Sequence, residues 1–375
     1  MHRKKIVAAL VAAGVACCVA ACGSDSDTSS GTSGGAATDT ASTTPKGLVA
    51  GNGVGSPAAV HTALACDSTL TDQQLLDYRV PKADEPYDVT LMMVSLGGYY
   101  YQSLVYGAQK AADEAGVNLR VVAGQGFASA PQQVTQVQSV LTRGTDAIVL
   151  GPADVNGSVP VVDQADAKGV PTIVVGTLLD SPKPFQIQQD DYLQGKQAAD
   201  TLAKLLPEGG TGILMGGPSN ATWSLRRVAG FQDQLKEKYP DLKISSTTNE
   251  MVDPAEGLTK FQNAATKNPQ VDWVYAVYNL VLPPASVPAQ YEDAVYVGGG
   301  FDPQMKEALQ DGSSDATILD QAHSMGYMGV GAAVDKLNGT DPQKLVCLPN
   351  TPVSAETIGD PLPALQIYPE DFVAK

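Results

Sequence analysis

Val89-Thr90-Leu91-Met92-Met93-Val94-Ser95-Leu96-Gly97-Gly98-Tyr99-Tyr100-Tyr101-Gln102-Ser103-Leu104 is the stretch on which the fold turns. Its first six residues are apolar but for Thr90 and show little alternation, the pattern of a strand covered on both faces. A glycine pair breaks the run. Leu104, Ala108, Ala111, Ala112 and Ala115 then recur at helical spacing, and Gly116 supplies a C-terminal stop. Strand, glycine turn and helix in that order make the first half of a βαβ unit.

The same alternation continues along the chain. Further strands are expected at Asn118–Val122, Ala147–Leu150, Thr172–Val175, Gly212–Met215, Lys243–Thr247, Trp273–Val277, Val295–Val297 and Ala316–Leu319. Helical stripes lie between them: Val134, Val137 and Leu141 before Gly144, then Ala198, Leu202 and Leu205 before Pro207, then Phe231, Leu235 and Tyr239 before Pro240. Repeated βα units imply parallel sheets with right-handed crossovers. A chain of 375 residues favours two domains over one. The expected class is therefore α/β, with two Rossmann-like lobes.

Composition narrows the function. Lys and Arg number 24 against 40 Asp and Glu, a net charge of −16, which argues against binding a phosphate backbone. The motifs G-x-x-x-x-G-K-[ST], H-E-x-x-H and C-x-x-C are missing, and G-x-S-x-G occurs only as Gly31-Thr32-Ser33-Gly34-Gly35 in a Ser/Thr/Gly-rich stretch with no strand before it, so no enzyme, cofactor or metal site is expected. Gly298-Gly299-Gly300 lacks the later glycine of a dinucleotide fingerprint and reads as a tight turn. His323 would need a partner to act as a general base; a surface or helix-start histidine is the plainer reading.

The N-terminus sets the compartment. His2-Arg3-Lys4-Lys5 precedes an apolar run from Ile6 to Ala21, shorter than the ~20 residues of a membrane span and suited to a signal peptide. The run ends Val19-Ala20-Ala21-Cys22, which resembles the lipobox of bacterial lipoproteins and implies cleavage after residue 21 and acylation of Cys22 by palmitate-like chains. Residues 22–47 are almost wholly Ser, Thr, Gly, Ala and Asp and read as a flexible tether. Cleavage would remove Arg3, Lys4 and Lys5, leaving 21 basic against 40 acidic residues, or −19. It would also remove Cys17 and Cys18. Cys66 and Cys347 then remain as a pair in a disulfide-permissive compartment, and a disulfide is favoured over two separate thiols.

Val94 to Ala108 resembles the first strand, loop and helix of the type I periplasmic binding proteins that carry ribose and other sugars. The likeness continues through Arg143 to Asp154, Gly169 to Ile173, Asp190 to Lys196, Arg227 to Phe231 and Ala316 to Ile318, in register over roughly residues 86–345. It implies two lobes joined by a three-strand hinge, with a small ligand between them. Lobe one is expected at 86–188 plus 322–344, lobe two at 189–321, an N-terminal extension at 48–85 and a hinge or terminal segment at 345–375. The resemblance places the family's stacking aromatics on Tyr100 and Tyr101, its lobe-two arginine on Arg227 and its strand-end aspartate on Asp302. The hinge-side glutamine falls on Asp320 or Gln321, and a lobe-two asparagine near Tyr278 or Asn279.

Other positions depart from the pattern. The first-loop asparagine lands on Gly98, the next on Gly151, and a hydroxyl-binding Asp-Arg pair on Gly176-Thr177. Hydroxyls left without partners cost roughly 1–3 kcal/mol each, which disfavours ribose itself. Ser95 to Gly107 and Gly217-Pro218-Ser219-Asn220 also resemble TorT-type sensors, which detect trimethylamine N-oxide for a histidine kinase. The leading expectation is a monomeric, lipid-anchored protein on the extracytoplasmic face of the cell membrane that delivers a small, sugar-like or otherwise polar ligand to an ABC permease. A ligand sensor for a membrane kinase is the alternative.

Overall fold

A computed structural model describes residues 56–124, 126, 130–268, 270–282, 287, 288, 291 and 293–374. The expected signal peptide, Cys22 and the 22–47 tether lie outside the described residues, as does the start of the extension.

A short turn of 3-10 helix, Pro57–His61, comes first. It is followed by β1 (Ser68–Thr69), α1 (Asp72–Asp77), β2 (Asp88–Met93), α2 (Tyr99–Ala115), β3 (Asn118–Ala123), α3 (Ala130–Arg143), β4 (Ala147–Leu150), α4 (Val159–Ala167), β5 (Thr172–Val175) and β6 (Phe185–Gln189). The chain then runs through α5 (Asp191–Leu205), β7 (Gly210–Met215), α6 (Thr222–Lys238), β8 (Leu242–Thr248), α7 (Pro254–Lys267), β9 (Trp273–Ala276), β10 (Val295–Gly299), α8 (Pro303–Asp311) and β11 (Ala316–Ile318). It closes with α9 (Ala322–Leu337), β12 (Leu345–Leu348), β13 (Pro352–Ser354) and α10 (Pro361–Leu365).

Two sheets result. The first has the order β1-β12-β6-β5-β4-β2-β3 and is parallel throughout. The second has the order β13-β11-β10-β9-β7-β8 and is parallel except where β13 meets β11. The inner strands β2, β4 and β5 of the first sheet are covered on both faces, which explains why they do not alternate. Leu91, Val149 and Ile173 meet α2 and α9 on one face. Met92, Ile148 and Val174 meet Val137 and Val140 of α3 and Val161 and Val162 of α4 on the other. The second core is more aromatic, with Phe231 packed on Trp273 and Tyr275.

Several elements differ from the sequence-based expectation. Strand β6 reads Phe-Gln-Ile-Gln-Gln and carries no apolar run, yet it is buried throughout. Its polarity is absorbed by backbone: the Gln186 amide exchanges hydrogen bonds with both N–H and C=O of Leu179. Strand β12 joins the first sheet beyond the limit of 344 set for lobe one. Within the expected N-terminal extension, β1 pairs with β12 at the edge of that sheet. The terminal segment in turn lends β13 to the second sheet.

Candidate functional site

The chain crosses between the sheets at residues 189–191, 319–321 and 349–351. Gln189 ties these crossings together. Its Nε2 donates to the carbonyls of Leu319 (2.9 Å) and Pro349 (3.1 Å), and its Oε1 accepts from Gln321 N (2.8 Å). The Asn350 amide donates to Asp190 O, and Leu319 N to Thr351 O. A cavity lined by Gln188, Gln189, Asp191, Trp223 and Arg226 lies beside this junction and marks the candidate cleft, at the carboxyl ends of the strands where open α/β sheets bind ligands.

The first sheet supplies aromatic side chains to the cleft. Gly98 at φ +83° turns the chain from β2 into α2, a conformation that favours glycine because no Cβ clashes. The first turn of α2 therefore presents Tyr99, Tyr100 and Tyr101 together. The Tyr100 and Tyr101 rings meet edge to face at 5.3 Å. Burial raises the Tyr100 hydroxyl well above its ordinary pKa, with Asp320 adding to the effect, and pushes Tyr101 up to about 12. Tyr99 stacks on Tyr368 of the C-terminal segment, with centroids 4.3 Å apart.

The second sheet supplies charge. Arg227 on α6 donates from Nε to Asp191 Oδ1 (2.9 Å), from Nη2 to Asp320 Oδ1 (3.0 Å) and from Nη1 to Val277 O (2.9 Å). Its guanidinium lies 5.0 Å from the Trp223 ring centroid, one helical turn earlier. Burial alone would lower the guanidinium, but Asp320 and Asp191 outweigh it and raise it. Burial pushes the Asp191 carboxyl up to about 6 against the pull of Arg227 and Arg226. Asp302 caps α8 by accepting from Met305 N at 2.8 Å. Burial raises its pKa, while backbone N–H groups and the Asn279 amide partly hold it down.

Tyr100, Arg227 and Asp320 are thus brought together, with Asn279 and Asp302 beside them. Tyr101 reaches this group only through Tyr100. Two residues fall elsewhere. Tyr278, two residues beyond β9, is 4% exposed within the second core, its hydroxyl turned toward Gly257 of α7, which corrects its placement in the cleft. Gln321 is fully buried in the crossings, between Pro349 O and the Gln366 amide. Its place as a ligand group is likewise corrected, because its side chain is enclosed at the crossings and turned to those partners. His323 is not at the surface but 2% exposed between α2 and α9.

Asp191, Trp223 and Gln188 line a cavity between the sheets, and none was singled out from sequence. A usable signal existed for two of them. Asp191 follows directly on the strand-end acid Asp190, and Trp223 stands four residues before Arg227 on the same helix face. Leu64 of the N-terminal extension closes one flank of the cavity. Among the described residues no group of three or more His, Cys, Asp or Glu is arranged to hold a metal ion. No described helix is long and apolar enough to cross a membrane.

Residues 89–341 match the family model described as "Periplasmic binding protein domain". The ribose import binding protein RbsB of Escherichia coli (strain K12) is 29% identical over 255 residues, covering 67% of this chain and 85% of that one. The xylitol-binding protein of Mycolicibacterium smegmatis is 31% identical over 146 residues, covering 38% and 42%. Among solved structures, a carbohydrate transporter solute binding protein from Agrobacterium radiobacter in complex with D-arabinose superposes with a TM-score of 0.68. It has 23% identity and covers 76% of this chain and 99% of its own, a likeness of fold alone.

Proposed function

Because the chain belongs to the periplasmic binding protein domain family, whose members are substrate-binding proteins of transporters and not enzymes, we propose that it captures a small polar, sugar-like ligand for an ABC importer. The observation that carries this reading is the opposition of the Tyr100–Tyr101 pair to the Arg227–Asp320 pair across a junction of three chain crossings. A ligand touching both sides gains contacts only when the lobes are closed, so binding shifts the equilibrium toward closure. An importer's permease reads that closed form. Tyrosine faces stack on the apolar face of a sugar ring, while a carboxylate and a guanidinium address its hydroxyls.

The lobes follow the two sheets, with the 48–85 extension and the 345–375 segment fastened across them. We place the protein on the extracytoplasmic face, held by lipid on Cys22, and as a monomer. Two acyl chains anchor stably where one holds only marginally, so Cys22→Ala releases the protein from the membrane fraction into the medium; retention rejects the anchor.

The binding reading is tested by a thermal-shift screen of pentoses, hexoses and polyols followed by calorimetry. A ligand that binds only the folded state raises the unfolding temperature. Tyr100→Ala and Arg227→Ala, checked for folding by circular dichroism, weaken a ligand so found by about tenfold or more. Wild-type affinity in both variants places the ligand elsewhere.

A further inference from the structure

The charges around Arg227 do not balance. Its single guanidinium serves two carboxylates, Asp191 and Asp320. The adjacent Arg226 lends no net charge, being matched by Asp190 at 2.8 Å and held by Ala59 O at 2.7 Å. Asp302 is a third carboxylate nearby, compensated by the N-terminus of α8.

The neighbouring amides point to the chemistry of the missing partner. Gln194, fully buried, donates from Nε2 to Asp320 Oδ1 at 3.3 Å. The flipped amide would set a carbonyl against a carboxylate, so this orientation is fixed. Its Oε1 is then left without a partner among the described residues. Asn279 likewise turns its amide to Asp302 and leaves Oδ1 unpaired. These are acceptors awaiting donors. Gln188 is the complementary case: 1% exposed and lining the interlobe cavity beside Asp191, it has an unpaired Nε2, a donor awaiting a ligand oxygen.

A neutral sugar would meet the acceptors and leave the surplus negative charge. A simple amine would meet the charge and leave Gln188 unmet. Resting on the solute-binding reading above, we propose that this cleft selects an amino sugar, its protonated amine received among Asp320, Asp191 and Asn279 and a hydroxyl received by Gln188. The aromatic face of Tyr100 also favours a cation over a neutral group.

The test is calorimetry of the mature protein at neutral pH with D-glucosamine, D-galactosamine and D-mannosamine. Each is compared with its neutral parent sugar and with its N-acetyl derivative, which keeps the nitrogen and loses the charge. At least one amino sugar is expected to bind about tenfold or more tighter than both counterparts. Asp320→Asn should shrink that preference by a similar factor. Should this variant not fold, added salt should weaken the amino sugar alone. Neutral sugars bound equally well would overturn the amine preference and leave sugar binding intact. Failure of all nine compounds would overturn both, and a preference indifferent to both Asp320→Asn and salt would overturn the assignment of the charge.

Discussion

His323 opens α9 with its ring between Tyr327 (6.0 Å, near-parallel) and Tyr106 (5.7 Å). Neither ring nitrogen has a hydrogen-bond partner among the described residues. Burial, helped by the charge of Lys110, lowers its pKa from 6.5 to about 4. The unfolded chain takes up the proton near the ordinary value and the folded chain only near the lowered one. Full stability therefore holds above about pH 6.5 and is lost as pH falls toward 4, by on the order of 3 kcal/mol. Asp191 acts with the opposite sign, since its raised pKa lets the folded form gain as pH falls below about 6. The two overlap, so the His323→Phe variant is needed to separate them. Urea unfolding from about pH 7.5 to about pH 4 should show the wild type losing stability relative to the variant. Parallel curves would mean that His323 is charged or hydrated in the fold.

At the level of elements, each lobe is built on one tight helix pair. In the first, α2 crosses α9, and a Cβ added at Gly107 would lie 2.0 Å from His323 O while one at Gly326 would lie 1.9 Å from Leu104 O. In the second, α5 crosses α6 with the same reciprocity, Gly195 against Arg227 O (2.0 Å) and Gly230 against Tyr192 O (1.9 Å). The second crossing sets the depth of Arg227 in the cleft, so backbone contact there positions the charged side of the site. Gly326→Ala must push the helices apart against backbone atoms and should cost at least about 1–3 kcal/mol. Gly359→Ala meets nothing within 4 Å and serves as the control, with an expected change within about 0.5 kcal/mol. Comparable denaturation midpoints for both variants would show that the helices yield. Gly107, Gly195 and Gly230 stand in the stretches that resemble the family and Gly326 in none of them, and their spacing along one helix says nothing about the helix opposite.

At the scale of the whole molecule, the N-terminal extension fastens both lobes. Its 3-10 turn lies on α6, with Ala59 O accepting from Arg226 and His61 paired with Asp233 at 2.8 Å. Leu64 N donates to Asp190, and β1 then adds to the first sheet. Cys66 and Cys347 are joined across this edge, with Cα atoms 5.9 Å apart and a separation of 281 positions in sequence. A link over so long a loop restricts the unfolded chain, and Cys66→Ser with Cys347→Ser should lower stability by about 2–4 kcal/mol. Non-reducing peptide mapping checks the bond itself, and two alkylated free thiols would remove it.

The alternation of most strands and helices and the parallel sheets were legible in the residues alone, while Tyr100, Tyr101 and Arg227 were reached through the family resemblance. Apolar periodicity, glycine stops and short motifs are local properties, and the chain carries them wherever it is read. Only the tertiary structure decided the rest. Strand β6 was hidden because Gln186 and Gln189 are satisfied by backbone groups, for Gln189 those of residues 130 and 160 positions away. The sharing of Arg227 between Asp191 and Asp320 was hidden for the same reason, since the two carboxylates lie 36 and 93 positions from it. Whether a polar side chain can be buried depends on which partner the fold brings to it, and a partner at that distance leaves no periodic trace in the sequence.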